Sequence, residues 1–118
     1  MSKHTAIIAG GTGLIGNEVI LQLTQDETFE KIIVLNRRNI KYSNSKIQEI
    51  IVDFNHLENS LKDIHPTHAY CCLGTTIKQA GSKEAFRKVD FDYVLNFAKA
   101  AQNLGCKNFN VITALGTS

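Results

Sequence analysis

The chain has 118 residues, enough for one domain with a real hydrophobic core. Its 43% hydrophobic and 20% charged residues and its single proline exclude a disordered, fibrous or low-complexity protein. A formal net charge of +2 leaves no global field to draw in nucleic acid or an anionic membrane, so neither is expected as a partner.

The first apolar run, Thr5-Ala6-Ile7-Ile8-Ala9, is short and closes on Gly10-Gly11, which predicts a strand buried on both faces. Over residues 14–25, Ile15, Val19 and Leu23 recur at every fourth position with Ile20 beside them, the stripe of an amphipathic helix. Residues 31–36 and 47–52 are rich in β-branched side chains and predict two more strands, joined by a polar loop over 37–46. Leu57, Leu61 and Ile64 stand at helical spacing, so a helix is predicted over 55–64, stopped by His65-Pro66. Ala69-Tyr70-Cys71-Cys72-Leu73 predicts a fourth strand. The longest predicted helix starts at Ser82, an N-cap with Glu84 in the first turn, and carries Phe86, Val89, Tyr93, Phe97, Ala100 and Leu104 to a C′ glycine, Gly105. Residues 109–113 then predict a fifth strand.

Strands alternating with helices imply right-handed crossovers and a parallel sheet. The expected fold is therefore a doubly wound α/β Rossmann domain spanning 1–118, with strand order 3-2-1-4-5.

Between the first strand and the first helix, Gly10, Gly13 and Gly16 stand three residues apart in G-G-T-G-L-I-G. Glycines at a strand-to-helix turn let the backbone approach a pyrophosphate closely, and the free N–H groups and dipole of the helix start attract the anion. Glycines also mark purely structural turns, but this strand–turn–helix context is the one a dinucleotide requires. Gly10, Thr12, Gly13, Leu14, Ile15 and Gly16 are accordingly expected at the cofactor. At the end of the second strand, where an NAD-selective site carries an acid for the ribose, the chain has Asn36, Arg37 and Arg38. A guanidinium binds phosphate oxygens in pairs and an acid would repel them, so NADP(H) is favoured over NAD(H), with Arg37 the better candidate because it is nearer the strand end. The competing reading is a solvated pair of loop arginines.

Cys71-Cys72-Leu73-Gly74-Thr75-Thr76, then Gln79-Ala80-Gly81-Ser82 and Val89-Asp90 to Tyr93, resembles the Tat-interacting-protein-like family of atypical short-chain dehydrogenases, and the likeness runs from the glycine turn to Gly116. The resemblance implies an NADP(H)-dependent oxidoreductase transferring hydride to a small carbonyl substrate. It further implies that Leu73, Gly74, Thr75 and Thr76 lie beside the central part of the dinucleotide, and that Asp53, with Phe54, approaches the adenine amine. Asp53 reads equally well as a helix cap, and the threonines as turn caps.

The resemblance implies a serine after the fifth strand; in Thr113-Ala114-Leu115-Gly116 the hydroxyl available to replace it is Thr113, with Thr117 and Ser118 as alternatives. The family's Y-x-x-x-K acid/base pair has one formal match, Tyr42 to Lys46, which lies before the third strand and outside the required helix. The pair is therefore expected beyond residue 118, together with strands and helices that would cover the sheet edge. An uncovered edge would also suit a homo-oligomer. The alternative function is a non-catalytic NADP(H)-sensing or protein-interaction module, and a weaker one a flavin or sugar-nucleotide site.

Cys71, Cys72 and Cys106 form no disulfide set and no metal pattern and read as reduced, structural thiols; the histidines lack zinc spacing, so no metal is expected. The short apolar N-terminal run is no secretory signal and no segment is long enough to span a membrane, which leads to the expectation of a cytosolic protein.

Overall fold

The computed structural model describes residues 3–11, 13–57, 61, 63–73, 83–84 and 88–112, and of 88–90 the backbone alone. Five parallel strands, β1 (His4–Ala9), β2 (Phe29–Asn36), β3 (Ile47–Ile51), β4 (His68–Cys71) and β5 (Asn108–Val111), form one sheet in the order β3-β2-β1-β4-β5. The Rossmann topology and strand order expected from the alternation of elements are both present.

Each central strand splits its side chains between two cores, as a period of two requires. Ile7 and Ala9 of β1, Ile33 and Leu35 of β2, and Ala69 and Cys71 of β4 enter one cluster. Ala6, Ile8, Ile32 and Val34 enter the other, against which Tyr70 and Cys72 pack. The second cluster is closed by helix α1 (Leu14–Gln25) through Ile20 and Leu23. The first is closed by helix α2 (Val94–Asn103) through Phe97, Ala100 and Ala101, together with Val52, Phe54, Leu57 and Leu61.

The long helix differs from expectation in its first half. Lys83 and Glu84 are α-helical as expected, Lys88–Tyr93 is π-helical, and α2 runs from Val94. In this register Tyr93 stacks on Phe54, with ring centroids 5.5 Å apart and planes at 25°, and Asn96 donates through Nδ2 to the Phe54 carbonyl at 2.9 Å. Ser82, the expected cap, lies outside the described residues. The C-terminal end matches the reading: Gly105 has φ +87, its N–H reaches the Gln102 carbonyl and the Cys106 N–H reaches that of Ala101, a Schellman motif.

The helix predicted over 55–64 is corrected. Phe54 and Asn55 lie in a turn, Leu57 is 3₁₀, and Asp63 has φ 62, the left-handed region, so no continuous helix runs from 55 to 64. The apolar spacing that suggested a helix is real in another sense, since Leu57 and Leu61 are buried and Ile64 packs beside them.

Candidate functional site

The carboxyl ends of the strands converge on one edge of the sheet. Gly10 follows β1, Asn36 ends β2, Asp53 follows β3 by two residues and Leu73 follows β4 by two. The connections leave β1 toward β2 on one side and β4 lies on the other, so the crevice beside Gly10 is the topological switch point where such folds bind ligands.

The glycines are required here for different reasons. Gly10 combines φ +87 with contact: a Cβ there would lie 2.6 Å from the Cys72 carbonyl carbon and oxygen, so only glycine lets the β1 end pass this close to the β4 end. A Cβ on Gly16 would lie 2.0 Å from the Gly10 carbonyl oxygen, so glycine there lets α1 seat directly on the turn. Gly13, the N-cap of α1, differs, since a Cβ there would meet nothing within 4 Å and its φ of −81 suits any residue. Nothing within the described fold demands a glycine at 13. An external group laid against the helix start would, and a pyrophosphate fits that place: the cap offers no side-chain acceptor to the leading N–H groups and the first turn carries no acid. Leu14, at the helix start, is 92% exposed and Ile15 partly so, both beside this surface.

At the end of β2, Asn36 is 3% exposed, a buried polar side chain in an apolar setting. Its Nδ2 donates to the Tyr42 hydroxyl at 3.2 Å and to the Glu49 carboxylate at 2.7 Å, so the amide is engaged with the protein rather than held toward a ribose. Arg37 and Arg38 are exposed. Asp53 is exposed and its Oδ1 accepts the Asn55 N–H at 2.9 Å, the local capping alternative, which still leaves a carboxylate oxygen on the surface. Phe54 gives its ring to the core, so only its backbone faces the strand edge. Leu73 packs partly against the same core. Thr12, Gly74, Thr75, Thr76 and Thr113 lie outside the described residues.

The formal Tyr42 to Lys46 pair is divided between separate tasks. Tyr42 packs against the α1-side core, whereas the Lys46 ammonium donates to the Thr24 and Asp26 carbonyls at the C-terminal end of α1, where a cation complements the helix dipole. Burial pushes all three thiols up, Cys72 to about 11 with Cys71 adding to the effect, so none is a ready thiolate. Among the described residues no cluster of three or more histidine, cysteine or acidic side chains could hold a metal, and no helix is long and apolar enough to cross a membrane.

Sequence reasoning missed Glu49. Its carboxylate accepts the Ile40 N–H at 2.7 Å and the Lys41 N–H at 3.1 Å as well as the Asn36 amide. The available signal was an acid inside the isoleucine-rich strand Ile47–Ile51. Burial alone would raise its pKa, but the hydrogen bonds from Ile40, Asn36 and Lys41 outweigh this and hold the carboxyl below the usual range.

The model of the NAD dependent epimerase/dehydratase family matches residues 6–117. The chain belongs to that family. Among its relatives, rat (Rattus norvegicus) Protein HTATIP2 is 30% identical over 120 residues, covering 98% of this chain and 49% of its own length, which bears out the Tat-interacting-protein-like resemblance. Protein FMP52, mitochondrial, of Eremothecium gossypii is 32% identical over 116 residues, covering 96% of this chain and 50% of the relative. The chain thus spans about half the length of these relatives. Among solved structures, the Bordetella bronchiseptica enzyme WbmG in complex with NAD superposes with a TM-score of 0.70 at 21% identity, over 92% of this chain and 37% of that one. Membership of an NAD dependent family makes this a nicotinamide-dinucleotide-type Rossmann domain.

The expectation of a cytosolic protein is overturned, because FMP52 relatives from several species are named mitochondrial. The physical reason is that the absence of a secretory or membrane-spanning stretch carries no information about import into an organelle, which uses segments of another kind.

Proposed function

We propose that this domain binds NADP(H) in preference to NAD(H) and presents it for hydride transfer with a small carbonyl substrate. The observation that carries this reading is the β2 terminus. Where an acid would serve the ribose hydroxyls of NAD, the chain has an uncharged, internally bonded Asn36 followed by two exposed guanidinium groups, Arg37 and Arg38.

In this arrangement the N–H groups at the start of α1 hold the pyrophosphate, with Gly13 giving it room. Arg37 binds the 2′-phosphate and stacks toward the adenine, with Arg38 beside it, and Asp53 accepts from the adenine amine. Leu14 and Ile15 cover the phosphate, and Leu73, Gly74, Thr75 and Thr76 line the path toward the nicotinamide. The bound dinucleotide supplies or accepts the hydride. The acid/base pair and the substrate pocket are assigned to the half of the relatives that this chain does not match, Thr113 being the hydroxyl offered from this half.

Calorimetric titration of the chain with NADPH and NADH in low-phosphate buffer tests the reading, repeated on Arg37→Ala. Tighter binding of NADPH, lost selectively in the variant, supports it. Equal affinity for both coenzymes in the parent chain, or no effect of the substitution, refutes the assignment of NADP(H).

A further inference from the structure

We propose that Glu49 is a positioning residue for coenzyme selectivity, holding the arginine-bearing segment after β2 in its binding shape; this rests on the NADP(H) reading above. Three N–H donors converge on one carboxylate: Asn36 Nδ2 from the end of β2, and the main-chain N–H groups of Ile40 and Lys41 from the segment that follows. Arg37 and Arg38 lie between these anchor points, so their backbone is spanned by the clamp.

The segment has no covalent device of its own to hold this course. Residues 37–46 contain neither glycine nor proline, yet Lys41 takes φ 63, a left-handed conformation that a residue with a side chain adopts only when its surroundings impose it. The imposing contacts are identifiable: the Lys41 N–H is shared between Glu49 Oε1 and Asn39 Oδ1, each at 3.1 Å.

The same network reaches the phosphate turn. Asn36 donates its other amide hydrogen to the Tyr42 hydroxyl, and that hydroxyl stands 3.3 Å from where a Cβ on Gly11 would lie. Glu49, Asn36 and Tyr42 therefore connect the segment carrying the arginines to the turn expected to hold the pyrophosphate. Both carboxylate oxygens are taken up by donors from the protein, so neither is offered to a ribose hydroxyl.

The test compares the parent chain with Glu49→Gln and Glu49→Asp. Amide hydrogen exchange of Ile40 and Lys41 is measured without coenzyme, and calorimetric affinities for NADPH and NADH are measured in parallel. In Glu49→Gln both amides should lose at least tenfold in protection, NADPH should bind at least fivefold more weakly, and NADH should change by less than twofold. Glu49→Asp, which keeps the charge with a shorter reach, should recover part of the NADPH affinity and remains informative should the glutamine variant not fold. Unchanged protection of the two amides, or equal weakening of both coenzymes, overturns the positioning role. Should the parent chain show no preference for NADPH while the amides still depend on Glu49, the NADP(H) reading fails and takes the selectivity role with it. Should the parent prefer NADPH and Glu49→Gln leave that preference intact, the positioning role alone fails.

Discussion

Replacing Gly13 by alanine separates what the fold needs from what a ligand needs. The backbone at 13, with φ −81 and ψ 172, is extended and open to any residue, and the new methyl would meet no protein atom within 4 Å. The cost to stability is then limited to the weaker N-cap preference of alanine, about 1 kcal/mol, or about 4 °C in melting temperature for a chain of this size. Gly16→Ala is the opposing control. Its Cβ would lie 2.0 Å from the Gly10 carbonyl oxygen and 2.9 Å from Gly11 Cα, both main-chain atoms. Comfortable heavy-atom contacts need about 3.5 Å, so α1 would have to lift off β1 by more than about 1 Å, with a cost of about 3 kcal/mol at the upper end of overpacking. A pyrophosphate seated on the helix start reverses the ranking for binding, because the Gly13→Ala methyl occupies the space the phosphate needs. At least a tenfold loss of NADPH affinity is expected there, about 1.4 kcal/mol. Urea unfolding and calorimetric titration of both variants provide the assay. Gly13→Ala binding NADPH as tightly as the parent, or losing as much stability as Gly16→Ala, would refute the argument that this glycine exists for a ligand.

The remaining predictions concern the scaffold. Burial, and then the neighbouring His4, lower the pKa of His68, whose Nε2 faces Asn108 Nδ2 and whose ring packs on Phe29. The folded state therefore favours neutral imidazole, and stability should fall as pH drops below the ordinary histidine value of 6.5; melting curves from pH 7.5 to 5 should show a slope that flattens in His68→Gln, and an unchanged slope would count against it. Phe97 is fully buried between α2 and the sheet with Phe109 at 5.9 Å, so Phe97→Ala should lower the unfolding free energy by about 3–5 kcal/mol in urea, and a loss under 1 kcal/mol would contradict the assigned core. With Cys72 raised to about 11 and the other two thiols also raised, disulfide-exchange reagents at pH 8 should label the native chain far more slowly than the urea-unfolded one, and equal rates would contradict this burial.

What the sequence determined on its own was everything written in local period. The short apolar runs at 5–9, 31–36 and 69–73 marked strands, and the four-residue spacing of Ile15, Val19 and Leu23 marked α1. The order of strands and helices then left one topology, and the glycine turn marked its candidate binding edge. Periodicity reports which side chains share a face, not how the backbone brings them there. That is why Leu57 and Leu61 were rightly read as core residues, whereas a helix continuous to residue 64 is ruled out by the left-handed Asp63. The same limit hid the π-helical stretch before α2, which keeps Tyr93 on the core while changing the turn that carries it.

Only the tertiary structure could assign the polar groups. A carboxylate on β3, 13 residues from the amide it accepts, joins donors from two segments, so neither Glu49 nor Asn36 shows its role to any local reading. Hydrophobic burial depends on area and tolerates many routes to the same contact. A hydrogen-bond network exists only where chain crossings bring donor and acceptor within about 3 Å.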